Sequence, residues 1–535
     1  MNIRFPDLIS LYTEKDRFDF RSAFFEKEDV FCRLELDGDV LRVSLGAERT
    51  PLCHVRLRWS FSNSEKRADA VRIYGDAWER AGGDLEWRGI VPERCMPWFC
   101  LVSNGSDRDG DVSLRFTEGF GVKVRPGAMC FWQYDSAGVT LWLDVRSGGA
   151  GVILGGRTLS AAEVIFGNYR GCSAFEAGCS FCRAMSPDPK RAKFPVYGSN
   201  NWYYAYGKSS AGEIISDTEI VADLCRSNEN RPFMVIDDGW TINPKNGPWD
   251  RGKAEFPDMA GLAAEIKSRG VRPGIWVRYI YDEKGVCGLP EEWHYPHDRD
   301  FLDPSRPEVL DYIRKTTENF VSWGYELIKF DCSTQDILGR RGYRVPYGIA
   351  ADGWSFADRS KTTAEIIMNF YRTVRETAGD GTVLIGCATI SHLSAGFVEV
   401  GRTGADINGV NWDITRRMGV NTLAFRMMHH GALFDADADC VGITGTLPWE
   451  KIRQWLFILS RSGTPLFVSC KPGVLDEGRM SELREAFEVN SRQEDRLVPL
   501  DWMENVCPEK WLLNGEEIRF DWFAEDINTM FTGQN

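Results

Sequence analysis

An N-terminal antiparallel β-sandwich, a central (β/α)8 TIM barrel and a small C-terminal β region are the multidomain fold this sequence predicts. Three observations predict it. Residues 1–190 consist of short runs alternating apolar with polar residues, broken by turns. Beyond a proline-rich basic stretch, strand-like apolar runs alternate with amphipathic helical segments. Eight such runs fit in about 275 residues, the count and length of a closed parallel barrel rather than an open doubly wound sheet.

The chain has 535 residues, which calls for two or three domains, and its 43% hydrophobic and 27% charged content is that of a globular protein. A formal net charge of −14 argues against nucleic acid or an anionic membrane as partner. "MNIRFPDLIS" has no basic segment followed by an apolar one, and no run of about 18 apolar residues occurs. The expected location is the cytoplasm, and a homo-oligomer is among the states the sequence admits. The 15 cysteines follow no repeating frame and read as free thiols. Cys172, Cys179 and Cys182 include a CxxC, but no second CxxC or histidine pair completes a four-ligand zinc site, so no metal or other cofactor is expected.

In the first region "VLRVSLG", "VRLRWSF", "VSLRFTEGFGVKV" and "VTLWLDV" alternate with the period of half-buried strands, with no clear long helix. "SPDPKRAKFPVYG" marks the crossover to a barrel domain over 191–492. Its strands are read in "VYGSNNWYYAYG", "FMVIDDGW", "RPGIWVRYI", "LIKFDCS", "VLIGCA", "EVGRTGAD", "LFDADADCVGI" and "PLFVS". Val309, Ile313, Phe320 and Val321 are assigned to one helix face, and Ile452, Trp455, Leu456 and Leu459 to another. Ser305 in "SRPE" is read as a helix cap with Glu308 three residues on. No GxGxxG follows the first strand, which removes the usual dinucleotide reading. In 493–535, "WLLNGEEIRFDWF" reads as two strands about a turn.

In such a barrel the working residues sit where strands meet their following loops. There the sequence offers Asp237 and Asp238, Trp276 and Arg278, Lys329 and Asp331, Cys387, and Arg402 with Asp406. The two-residue period puts Lys329 and Asp331 on one face, where the lysine would keep the aspartate ionised. Any single aspartate here is better read as a helix cap, but four at three strand ends, interleaved with Lys, Arg and Trp, outrun that reading. Two carboxylates across one pocket, with no metal set and no Ser-His-Asp arrangement, suggest glycoside cleavage.

"DDGW", "GIW", "KFD", Cys387 and "RTGAD", in this order over residues 195–470, resemble glycoside hydrolase clan D, and "PVYGSNNWYYAYG" resembles the barrel opening of its family 36 α-galactosidases. The resemblance implies Asp331 as nucleophile and Asp406 as acid/base. It implies Asp237 and Asp238 on the 4- and 6-hydroxyls of an axial-4-OH sugar, Lys329 on sugar hydroxyls, and Trp276 as an aromatic wall. Arg402 and Cys387 would line the 2-position, with Arg402 turned there rather than toward Asp406. The implied activity is a retaining hydrolase of small α-galactosides. "CATISHLSAG" departs from the family's glycine-rich run, so a 2-acetamido sugar or a pentopyranoside stays open at the 2-position. A raffinose-synthase-like transferase and a non-catalytic sugar-binding protein are the competing readings, the latter disfavoured by the presence of both Asp331 and Asp406. His392, in the loop after strand five, is a candidate ligand contact, and His429–His430 ends a helix. Asp435, Asp437 and Asp439 share one strand face, read as barrel-rim or capping residues in preference to a calcium site.

Overall fold

The computed structural model describes residues 1–62, 71–105, 115–339 and 351–522. The first residues of "VSLRFTEGFGVKV" and the end of the C-terminal region lie outside them. Two antiparallel sheets of six and seven strands make up the N-terminal part. Their alternation is the one the sequence carries: in Val40–Ala47 the side chains of Leu41, Val43 and Leu45 are buried while Arg42 is exposed. Leu52–Ser60 likewise buries Val55, Leu57 and Trp59. The inward faces of both sheets join one apolar cluster that includes Leu11, Trp59, Phe120, Trp132 and Leu141. Each such side chain contributes about 1.5–3 kcal/mol by leaving water.

A helix, α1 (Ala174–Met185), follows the last sandwich strand where the sequence suggested no long helix. Its signals are present in "SAFEAGCSFCRAM": Ser173 and Glu176 form a capping box, and Phe175, Gly178, Cys182 and Met185 fall on its buried face. The CxxC thus belongs to an amphipathic helix, and all 15 cysteines are free.

The central sheet has nine strand segments, each pairing parallel: β1 (Tyr197–Asn200), β2 (Phe233–Ile236), β3 (Arg272–Val277), β4 (Leu327–Phe330), β5 (Val383–Gly386), β6 (Val400–Arg402), β7 (Asp435–Asp437), β8 (Cys440–Ile443) and β9 (Leu466–Cys470). Their order is β7-β6-β5-β4-β3-β2-β1-β9-β8. All four residues of β2 and of β4 are buried, because helices and packed side chains cover both faces of a parallel sheet. The seventh expected strand is split. Asp439 adopts a left-handed φ of 74°, so β7 pairs with β6 while β8 pairs with β9.

Helices Ala211–Leu224, Met259–Ser268, Pro307–Ser322, Thr363–Ala378, Trp449–Arg461 and Glu477–Arg492 lie between or after these strands. Ile452, Trp455, Leu456 and Leu459 are buried together. Val309, Ile313 and Phe320 are also buried, but Val321 is 37% exposed, because it stands one residue, about 100°, around the helix from Phe320. Ser305 does not cap its helix. Arg306 holds that position without a side-chain bond, and Ser305 Oγ accepts from the Asp358 N–H instead. Strands Leu497–Pro499, Lys510–Leu513 and Glu516–Arg519 form a three-stranded antiparallel sheet, the last two joined by Asn514-Gly515. Both turn residues have positive φ, as a two-residue hairpin loop requires. Among the described residues no helix is long and apolar enough to cross a membrane.

Candidate active site

The C-terminal ends of β2 to β6 bring the sequence-selected residues together, except Arg278, whose guanidinium pairs with Asp336 Oδ1 at 2.6 Å instead. Asp237 and Asp238 follow β2, Trp276 lies on β3, Lys329 on β4 with Asp331 after it, Cys387 follows β5, and Arg402 ends β6. Parallel register aligns Trp276 with Lys329 on neighbouring strands, facing the same way.

Asp237 is the better-satisfied member of the acidic pair. Its Oδ2 accepts from Lys329 Nζ at 2.7 Å and from Asn200 Nδ2 at 2.7 Å, and its Oδ1 accepts from the Asp238 N–H at 2.9 Å. Asp238 accepts from the Lys245 N–H, at 2.8 Å, and also from the Gly239 N–H. Burial pushes the Asp238 carboxyl up, the Lys245 N–H opposes this, and the charge of Asp237 adds to it. The direct partner of Lys329 is therefore Asp237 across the sheet rather than Asp331 on its own strand.

Asp331 is held ionised from several sides. Burial alone would raise it, but Arg80, Lys329, the Cys332 N–H and Arg402 together keep it well below the usual carboxylate range. The Cys332 N–H donates to Oδ1 at 2.6 Å and Trp276 Nε1 to Oδ2 at 3.4 Å. Arg80, which the sequence reading missed, comes from the sandwich part of the chain. Its Nη1 lies 3.7 Å from Asp331 Oδ1, 3.1 Å from Asp406 Oδ1 and 3.7 Å from Cys387 Sγ. Those two carboxylate oxygens lie no farther apart than the two contacts laid end to end, about 7 Å.

Arg402 reaches further than expected. Its Nη1 lies 3.5 Å from Cys387 Sγ, but Nη2 also donates to Asp406 Oδ1 at 3.2 Å and ion-pairs with Asp439. The expectation that it turns away from Asp406 fails because Arg402 and Asp406 lie only four residues apart in "RTGAD", within reach of one guanidinium. At Gly404 a Cβ would meet the Met418 carbonyl oxygen at 2.2 Å, so this loop packs directly on the π-helical turn Thr415–Asn421. Asp439 Oδ2 also accepts from Tyr203 Oη and the Ile407 N–H. Burial raises the Asp439 carboxyl, against the pull of Arg402 and with the push of Asp406. Cys387 stays a neutral thiol because burial and then Asp331 raise it strongly.

The Asp435–Asp439 run does not gather into one site. Asp435 Oδ1 accepts from Arg191 Nε at 2.7 Å at the start of β7, Asp437 takes the Asp439 N–H at 2.9 Å, and Asp439 alone turns into the carboxylate cluster. His392 is a packing residue, fully buried and stacked on Trp98 at 5.6 Å. His429 ends a short 3₁₀ turn and sits 3.6 Å from Asp76. Tyr203 was legible only as part of "NNWYYAYG". Arg80, in the polar stretch "DAWERAGGD", carries no local signal at all.

The fold and this cluster define a sandwich-plus-parallel-sheet protein with charged side chains gathered at the strand ends. No family model and no curated protein matches the sequence. Solved structures do. An α-galactosidase of Thermus thermophilus in complex with p-nitrophenyl α-D-galactopyranoside is 16% identical over 96% of this chain and 98% of its own, with a TM-score of 0.61. The galactosidase domain of an α-galactosidase–sucrose kinase is 14% identical, covering 94% of this chain and 77% of its own, with a TM-score of 0.60. A GH36 α-galactosidase of Geobacillus stearothermophilus in complex with 1-deoxygalactonojirimycin is 13% identical, covering 94% and 71%, with a TM-score of 0.57. The chain shares the multidomain fold of the GH36 α-galactosidases.

Proposed function

We propose that the protein is a retaining glycoside hydrolase that removes terminal α-linked galactose, or a close axial-4-OH relative, from small oligosaccharides. Asp435–Ile443 then counts as one bent seventh strand of a (β/α)8 barrel, and the chain divides at about residues 190 and 492. The observation that carries the reading is the single guanidinium nitrogen within reach of both Asp331 and Asp406. A separation of at most about 7 Å between these oxygens admits double displacement, which uses carboxyls about 5–5.5 Å apart.

Ionised Asp331 attacks the anomeric carbon while Asp406 gives its proton to the leaving oxygen, and the glycosidic C–O bond breaks. The sugar is then held as an ester on Asp331. Asp406, now a carboxylate, takes a proton from water as that water attacks the anomeric carbon, and Asp331 leaves as carboxylate. Asp238, a buried carboxyl with backbone donors alone, has acceptor capacity left for sugar hydroxyls. Trp276 supplies an apolar wall beside Asp331. The GH36 fold, seen in proteins solved with nitrophenyl galactoside and stachyose, supports the same class of substrate. The test is turnover of chromogenic α-galactoside, α-N-acetylgalactosaminide and β-arabinopyranoside, with proton NMR of the first-formed sugar. Cleavage of the α-galactoside to the α-anomer is expected; a β-anomer, or no cleavage of any of the three, overturns the reading.

A further inference from the structure

The edge strand Arg72–Gly75 of the seven-stranded sheet runs straight into an arm, residues 76–82, that leaves the sandwich and crosses the ends of β5 and β6. The arm is fixed at both ends. Asp76, buried, accepts from Arg426 Nε at 2.8 Å and Trp98 Nε1 at 2.9 Å, and Arg426 also donates to the carbonyls of Ala77 and Thr403, each at 2.9 Å. The Ser391 N–H donates to the Trp78 carbonyl at 3.3 Å. Ala81 then pairs with the "RTGAD" loop itself: its N–H donates to the Thr403 carbonyl and its carbonyl accepts from the Ala405 N–H, both at 2.9 Å. Arg80 lies between these fixings, with its side chain only 5% exposed.

We infer that Arg80 is a positioning residue of this site, delivered by the sandwich to fix Asp331 and Asp406 relative to each other and to direct the proton of Asp406 to its Oδ2. The inference rests on the hydrolase reading above. Arg80 and Arg402 both donate to Asp406 Oδ1, and no described group donates to Oδ2. An oxygen already accepting two guanidinium N–H bonds is the poorer place for a proton, so the transferable proton belongs on the other. The Asp406 side chain is half exposed, so that oxygen has an open side. On the Asp331 side, Arg80 adds a cation where Lys329, Arg402, Cys387 and Cys332 also face the carboxylate. Arg402, Asp439, Tyr203 and Tyr206 are the other charged or titratable groups facing Asp406. A planar guanidinium suits this task because its donors are fixed in one fork, whereas an ammonium is a point charge.

The test uses the full chain carrying Arg80→Ala or Arg80→Lys, assayed for kcat/KM against pH on the chromogenic glycoside that the wild type cleaves best. Arg80→Ala is expected to lose about 10²-fold, the scale of a misplaced catalytic group, mostly in kcat. Its acid limb should move to higher pH, because Asp331 has lost a neighbouring cation. Millimolar guanidinium ion should restore part of the rate, and Arg80→Lys should keep more activity than Arg80→Ala. A structural role alone would lower the melting temperature without moving the acid limb or responding to guanidinium, and that outcome overturns the inference. So does an Arg80→Ala rate within about threefold of wild type. If wild type cleaves no glycoside, the hydrolase reading fails, and ¹³C-carboxyl NMR of aspartate-labelled protein still decides on Arg80. The Asp331 resonance, assigned through Asp331→Asn, should titrate at higher pH in Arg80→Ala, and an unchanged titration overturns the inference.

Discussion

Lys329 reaches from β4 past β3 to the end of β2 and sets its Nζ 2.7 Å from Asp237 Oδ2, both side chains buried. This contact explains how two adjacent aspartates are tolerated at the end of a buried strand. One is neutralised by a lysine two strands away and bonded by an asparagine on the adjacent strand β1, and the other keeps acceptor capacity. Removing one partner of such a pair costs far more than replacing both, because the survivor is left charged in a dry place. Lys329→Met should therefore destabilise the protein by about 3–5 kcal/mol. The double variant Lys329→Met/Asp237→Leu should regain most of that in chemical denaturation. Additive losses in the double variant would mean that the two side chains are not coupled.

Specificity at the 4-position is a separate matter, because Asp238 is the less satisfied carboxylate of the pair. Asp238→Ala should leave sugar hydroxyls without acceptors and cost about 2–4 kcal/mol in kcat/KM on an α-galactoside. An α-glucoside, epimeric at the 4-hydroxyl, should be a poor substrate of the wild type for the same reason. Equal turnover of the two epimers would refute the assignment of Asp238 to the axial hydroxyl.

Much of this arrangement was legible in the sequence, and what was not has a common cause. Local period is written in the chain, so the alternation in Val40–Ala47, the apolar run of β2 and the buried face of Trp449–Arg461 could be read directly. Ordered motifs at successive strand ends pointed to Asp237, Lys329, Asp331 and Asp406, which the fold gathers. Partners distant in sequence were not legible. Arg80 meets Asp406 across 326 positions, and Tyr203 meets Asp439 across 236. No periodicity marks a side chain whose partner comes from a distant part of the chain. Asp439 broke the seventh strand by a left-handed residue that alternation alone could not disclose.

Acid stability should depend on buried histidines in the seam between the sandwich and the parallel sheet. Burial first, opposed by Asp76, lowers His392 to about 3, and burial lowers His429 to about 4. A neutral histidine that resists protonation when folded takes up its proton on unfolding, so stability is lost as pH falls from about 6.5 toward those values. Within that window each such group contributes a slope of up to about 1.4 kcal/mol per pH unit. His392→Phe keeps a ring against Trp98 and removes one of these protons. The difference in unfolding free energy between wild type and His392→Phe should change by about one proton's slope between pH 6 and 4.5. A difference constant with pH would show that His392 does not resist protonation.

The two carboxylates can be told apart by chemical rescue. In the proposed reaction Asp331 attacks carbon, so Asp331→Ala should lose nearly all turnover while still binding sugar, with Arg80 and Lys329 left as cations at the empty position. Azide entering there would attack the anomeric carbon directly and release a glycosyl azide of inverted configuration. Asp406 is proposed for the other role, giving a proton to the leaving oxygen and then taking one from water. A nitrophenolate leaves without that proton, so Asp406→Ala should still form the ester on Asp331 from a nitrophenyl glycoside. Water would then attack slowly for want of a base, and the glycosyl-enzyme should accumulate, visible as a burst of nitrophenol and as a mass increment on the protein. Azide needs no base, so it should restore turnover of Asp406→Ala and give a glycosyl azide of retained configuration. Natural oligosaccharides, whose leaving alkoxide needs the proton, should lose far more than nitrophenyl substrates in the same variant. Should azide rescue Asp331→Ala with inversion yet fail to rescue Asp406→Ala, the nucleophile would stand and the acid/base role would pass to another carboxyl. Asp439, the buried neighbour on Arg402, would be the next to replace.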